Sequence, residues 1–224
     1  VQEFNDTFTS YGTRDDFQGY VRFVKNIDFA NDKQAIETRR NFILGANPTS
    51  GNVVANSITS IDGNGLSIDN IYLDVGVDVE TAVGLFAEIK YAYIKNINLN
   101  FSAGEFSTAN ATYSGGLAGR ISNSVVVNVN LNGTGTTIQG KNVVGGLAGM
   151  VEGQSLVYSV SSNLSVTTIN SNTEEVYVPS RKANNENYVN SLSYAGGIAG
   201  VVDVSARVFS TDGFNFAYLY INDN

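Results

Sequence analysis

The sequence predicts an all-β fold, a right-handed parallel β-helix (β-solenoid), and three observations lead there. A five-residue phrase, Gly-Gly-(Leu/Ile)-Ala-Gly, recurs at 115–119, 145–149 and 196–200, with a looser copy at 83–87. A six-residue phrase, (Val/Ile)-x-Asn-(Ile/Val)-x-(Leu/Phe), recurs at 24–29, 68–73, 94–99 and 126–131. Composition is the third: of 224 residues 28 are Asn, 23 Gly and 2 Pro, while charged residues make up only 15%. Two phrases repeating in fixed order indicate stacked supersecondary units. Asn, Gly and β-branched residues suit strands and tight turns and disfavour long helices.

Taken in order, residues 1–29 do not match the full repeat and are expected to cap the stack. Residues 39–56, with Arg39-Arg40 and Pro48, are irregular. From there the glycine phrase sets one ruler: Gly84 to Gly116 is 32 residues, Gly116 to Gly146 is 30, and Gly146 to Gly197 is 51. The hexad Asn sets another: Asn26 to Asn70 is 44, Asn70 to Asn96 is 26, and Asn96 to Asn128 is 32. Late copies decay, with Ser159 and Ser210 where Asn stood. Each hexad reads as an alternating strand with one buried face. A helical-hairpin repeat would need long 3.6-period segments, and a propeller blade about 40–45 residues. A parallel solenoid remains, and parallel crossovers are almost always right-handed.

Stacking brings equivalent positions about 4.8 Å apart. Leu117, Leu147 and Ile198 are expected to point inward as one stack. Asn26, Asn70, Asn96 and Asn128 are expected to form a ladder, each amide bonding the layers above and below. The competing reading makes them unrelated turn residues. The glycine pairs let the chain turn tightly and let neighbouring layers approach.

The last glycine spacing exceeds the one before it by 21 residues. The excess maps to an inserted loop at 171–192, which carries Pro179. Insertions in repeat proteins often lie on the binding face. Tyr177, Arg181, Lys182 and Tyr188 are therefore the candidate ligand-binding residues, since Tyr and Arg dominate recognition hot spots. Residues 214–221 read as a strand whose edge invites pairing. A chain that starts at Val1 without Met reads as a processed product or excised fragment. The expectation is one domain over 1–224, part of a longer polypeptide.

Composition narrows the function classes. A net charge of −8 leaves no basic stripe for nucleic acid. The absence of Cys and His removes thiolate metal sites, Ser-His-Asp triads and the usual zinc centres. No 18-residue apolar run exists to insert into a membrane as a helix. Paired carboxylates are the remaining route to catalysis: Asp15-Asp16, Asp62 with Asp69, or Asp74 with Asp78 and Glu80. Glycosidase chemistry needs two carboxyls facing across a cleft. Asp62-Gly63-Asn64-Gly65 is a fragment of a calcium loop, but the remaining ligands are missing, and a tight turn explains it better. The residues thus point to no catalytic residue, no metal and no cofactor.

At 83–99, 115–131, 145–160 and, more weakly, 196–210, the two phrases together resemble the GLUG repeat, named for Gly-Leu-x-Gly. The lead-in 61–71 is similar to the D-G-N-G phrase that often precedes the first such repeat, and 20–29 resembles its preceding strand. The resemblance implies a bacterial surface or secreted, adhesin-like chain, and the repeat also occurs in non-catalytic parts of immunoglobulin A proteases. The expected role is a non-catalytic, extracellular binding stalk that presents a lateral face or loop to a host protein or glycan. The alternatives are a polysaccharide-active enzyme of the same fold and a substrate-positioning domain of a larger secreted protease.

Overall fold

The computed structural model describes residues 19–30, 43–44, 58–72, 82–108, 111–169, 175–177, 188–190, 193–203 and 205–208. Among them every regular element is a strand. The fourth layer shows how the chain folds. Tyr113–Gly115, Ala118–Ser122, Val125–Asn132 and Thr136–Gly140 follow one another through connections of two or three residues. Each then pairs in parallel with its counterpart in the next layer: Val143–Gly145, Ala148–Glu152, Leu156–Ser162 and Ser165–Thr168. The third layer, Ala82–Val83, Phe86–Lys90, Tyr93–Phe101 and Gly104–Thr108, pairs on the other side. The sixth adds Tyr194–Gly196, Ala199–Val202 and Arg207–Val208.

The first two layers join mainly through the longest sheet. Gly19–Arg22 pairs Ile58–Asp62, which pairs Tyr93–Phe101. Beside them Ile27–Asp28 pairs Ser67–Ile71, which also pairs Tyr93–Phe101. Ile43–Leu44 adds an edge to a second sheet. All these pairings are parallel. The exception is a two-stranded antiparallel hairpin, Glu175–Tyr177 with Tyr188–Asn190, inside the inserted segment.

The core runs through the stack. Ile94, Ile97 and Leu99 lie under Val126, Val129 and Leu131, and those under Val157 and Val160, all buried. Of the expected inward stack Leu117 and Leu147 are buried, and Leu85 of the third layer is buried with them. Ile198 is only half-buried, because its layer is the last strand of the three sheets it joins among the described residues.

The hexad does not alternate as the sequence reading expects. Asn70, Asn96, Asn128 and Ser159 have φ of 56°, 55°, 54° and 54°. One left-handed residue in mid-strand shifts the alternation by one place. That is why the apolar positions fall first, fourth and sixth, and at 94–99 and 126–131 all three face inward. Asn tolerates this conformation better than other residues with a Cβ, since its short polar side chain bonds locally. The residue type is therefore set by backbone geometry as well as by the ladder.

The glycine phrase acts through close approach. None of its glycines has positive φ. A Cβ on Gly145 would sit 1.9 Å from the Ala148 oxygen, and one on Gly115 would sit 2.4 Å from the Ala118 oxygen. The looser third-layer copy is one residue short: Val83 pairs Ser114 before the corner, and Phe86 pairs Ala118 after it.

Register also corrects the hexad alignment at the start of the stack. The counterparts of Ile94 and Leu99 are Ile61 and Ile68, so the phrase at 68–73 sits out of step with 94–99. The turn 63–66 occupies the place opposite Asn96: Gly63 N donates to the Lys95 oxygen and Gly65 N to the Asn96 oxygen, both at 2.8 Å. A Cβ on Gly63 would lie 2.4 Å from that Asn96 oxygen, so only glycine fits. The copy at 24–29 departs further. Val24 is 85% exposed, and Asn26 accepts from Ser67 N at 3.2 Å.

Candidate functional site: the outward face of the long sheet

Because side chains alternate across a strand, each long strand shows a second set of residues to solvent. Three polar ladders run side by side there. Asn128 Nδ2 donates to Asn96 Oδ1 at 2.9 Å, and Asn96 Nδ2 donates to Asp62 Oδ1 at 3.3 Å. In the next column Ser161 Oγ donates to Asn130 Oδ1 at 2.7 Å and Asn130 Nδ2 to Asn98 Oδ1 at 3.0 Å. Asn98 Nδ2 then donates to the Gly65 oxygen at 3.0 Å. In the third, Asn132 Nδ2 donates to Asn100 Oδ1 at 3.0 Å and Asn100 Nδ2 to Asp69 Oδ1 at 2.5 Å.

All three ladders donate toward the first layers, and two end on a carboxylate. An ionised terminal acceptor strengthens such a chain. This gives Asp62 and Asp69 a structural task. They take different partners and lie on different strands. The expected ladder members divide accordingly. Asn96 and Asn128 stack, but Asn70 donates to Asp28 Oδ1 at 2.7 Å instead, and Asn26 belongs to neither column.

Asp62 is the most connected group on this face. Its oxygens also receive Asn64 N at 2.9 Å and Tyr20 Oη at 3.0 Å, with Lys95 Nζ at 3.5 Å. The Asn64 amide, opposed by desolvation and aided by Asn96, Tyr20 and Lys95, holds its carboxyl at about 2. These neighbours are donors, an arrangement suited to an anion's own charge and unsuited to calcium. Desolvation and the bond to Asp62 push the Tyr20 phenol up.

Exposed tyrosines border the ladders. Tyr20 is 55% exposed, Tyr158 43% and Tyr93 39%. They lie in the first, fifth and third layers, so one occurs at every second layer. Tyr20 and Tyr93 share a column through Ser60, and Tyr158 shares the adjacent one with Lys95 through Val127. Lys95 Nζ sits 5.5 Å from the Tyr93 ring centre.

A second charged cluster lies elsewhere. Arg120 Nη1 is 3.4 Å from Glu88 Oε1, and Nη2 meets Glu152 Oε1. The guanidinium also lies 5.3 Å from the Tyr113 ring centre. Desolvation opposes its charge, but Glu152 and Glu88 outweigh that and raise its pKa. Arg120 thus ties three layers together.

Of the candidate residues in the insertion, Tyr177 and Tyr188 are Cα partners across the hairpin. Register brings them together although they are 11 residues apart in sequence. Arg181 and Lys182 lie outside the described residues, as do Asp15, Asp16, Asp74, Asp78 and Glu80. The sequence reading missed the Asn98–Asn130 and Asn100–Asn132 columns and the tyrosine row. Superposing Tyr93–Phe101 on Val125–Asn132 would have revealed the columns, since Asn falls at matching places. No protein-family model, curated protein or solved structure matches this chain.

Proposed function

We propose that the chain is a right-handed β-solenoid acting as a non-catalytic binding stalk of a bacterial cell-surface or secreted protein. Its lateral face would contact a glycan. The reading rests on the three polar ladders bordered by exposed tyrosines. A laddered Asn uses one N–H and one oxygen lone pair along the stack, leaving a second donor and lone pair for a ligand. Repeated every layer, this offers a regular grid of donors and acceptors to sugar hydroxyls. Asp62, Asp69, Glu88 and Glu152 are each engaged by donors from other layers, which favours binding over hydrolysis. The right hand follows from the general rule for parallel crossovers. The surface location is what the resemblance of the repeated phrases to the GLUG repeat implies.

Binding of purified protein to immobilised bacterial and host glycans tests the reading, with Asn98→Ala/Asn130→Ala and Tyr93→Ala as face variants. Loss of binding by both variants supports it. Full binding by both, with the fold intact, refutes it. A second reading places the contact on the insertion, because Tyr177 and Tyr188 are register partners across its two strands. Deleting 173–190 would then abolish binding and leave the face variants unaffected.

A further inference from the structure

The tyrosine row carries a second regularity. In the first layer Tyr20 is followed two residues later by Arg22, and in the third Tyr93 is followed by Lys95. Each pair lies on the outward side of its strand, Tyr20 over Ser60 over Tyr93 and Arg22 over Asp62 over Lys95. The same ring-and-cation unit thus recurs after two layers, about 9.6 Å along the stack at roughly 4.8 Å per strand. That spacing is close to the two-sugar repeat of an extended β-linked polysaccharide. Tyr158, two layers further on and one column across, continues the row.

The unit is held in place. Tyr20 Oη is fixed by Asp62 at 3.0 Å, Arg22 Nη2 donates to Asn64 Oδ1 at 2.7 Å, and Lys95 rests beside Tyr93. Held side chains lose less entropy on binding. Ser60 between the two rings is small and leaves both accessible. Charge sharpens the class of ligand. The chain carries −8 overall, yet over the first three layers these columns hold two cations and the single carboxylate of Asp62. Asp62 is 7% exposed and saturated with donors, so the outward charge is positive. Asp69 belongs to the next strand, Ser67–Ile71, where it ends the third Asn ladder.

We propose that Tyr20–Arg22 and Tyr93–Lys95 form a track for a linear acidic polysaccharide with one carboxylate per disaccharide, laid along the stack. Alternate sugar rings stack on Tyr20 and Tyr93, while Arg22 and Lys95 pair with successive carboxylates. The proposal rests on the glycan-binding reading above and names its ligand class.

The test uses the whole chain and three probes: a hyaluronan octasaccharide, which alternates a uronic acid with a neutral sugar, a neutral β-glucan octasaccharide, and a single-stranded DNA oligomer. Affinity is measured by calorimetry at two salt concentrations, with thermal unfolding as the fold control. The hyaluronan fragment should bind best and weaken with salt. Tyr93→Ala, and Arg22→Gln with Lys95→Gln, should each cost about tenfold or more. Tyr20→Phe, which keeps the ring and drops the hydrogen bond that holds it, should bind more weakly than the parent but better than Tyr93→Ala. Equal binding of both sugars, or indifference to the charge variants, overturns the acidic class but leaves a glycan-binding face. DNA binding as tight through the same residues makes this a general polyanion track and overturns the polysaccharide assignment. Binding of no probe by a folded protein overturns the track. Failure of the face variants against the broader glycan set is what would overturn the underlying reading.

Discussion

The third to fifth layers and the first two share the same columns, yet only in the former does the six-residue phrase fall in register. In the third and fourth, a left-handed Asn sits between two inward residues, and Ser159 takes that place in the fifth. In the second layer the turn 63–66 fills the same place, and the Asn-bearing phrase reappears beyond it at 68–73. Ile61 and Ile68 still stack on Ile94 and Leu99. The inward columns therefore govern register. The left-handed site is where the chain can lengthen without disturbing them, and a phrase can be copied without being structurally equivalent.

The largest expected effect lies in the regular layers. Leu147→Ala, in a fully buried stack, should cost about 2–5 kcal/mol in a denaturant titration. Ile198→Ala should cost clearly less, because its side chain is only half covered. Equal losses would erase the distinction between mid-stack and end layers. Next come the corners. Gly145→Ala places a Cβ 1.9 Å from a backbone oxygen and should cost about 1–3 kcal/mol. Gly197→Ala meets nothing within 4 Å and should stay within about 0.5 kcal/mol.

The left-handed site gives a smaller and more specific effect. Asn128→Ala loses a ladder bond and places alanine at φ 54°, for about 1–2 kcal/mol. Asn128→Gly should recover part of it, and Ser159→Asn should stabilise the fifth layer. An Ala variant no worse than Gly would remove the backbone explanation of the hexad. Acid supplies the next handle. Asp62 titrates at about 2 in the folded protein against 3.8 when unperturbed. Its contribution is therefore complete above pH 4 and lost as pH falls through 2. Asp62→Asn should flatten that part of the stability profile. Smallest of all should be the deletion of 173–190 with a Gly-Ser link, since changes in loop length cost little. Global unfolding by this deletion would make the insertion a structural part of the stack.

Much of this was legible in the sequence because stacking repeats the same local demands. Leu117 and Leu147 recur because each layer fills one inward column, and Gly115 and Gly145 recur because each corner meets the next layer's backbone. The all-β class follows from those phrases and from the scarcity of strong helix formers. The left-handed bulge was not legible, because an alternating strand and a bulged one differ by a single residue's φ. Asn70 misled for a related reason: its phrase matches the hexad, but the turn 63–66 had already displaced the register. The Tyr20–Tyr93 column was invisible because its members lie 73 residues apart with an unlike residue, Ser60, between them. Only the pairing of three strands brings them into line.

Disulfide trapping tests the stacking register most directly, since the chain has no cysteine of its own. Paired Cα atoms in adjacent strands fall within the separation a disulfide spans. Asn98→Cys with Asn130→Cys serves as the reference pair. The structure places Ser67 beside Asn98, whereas matching the two hexads by sequence places Tyr72 there. Ser67→Cys with Asn98→Cys should oxidise as readily as the reference pair, and Tyr72→Cys with Asn98→Cys should stay reduced. The reverse result would contradict the account, showing that the phrase and not the inward columns sets the register.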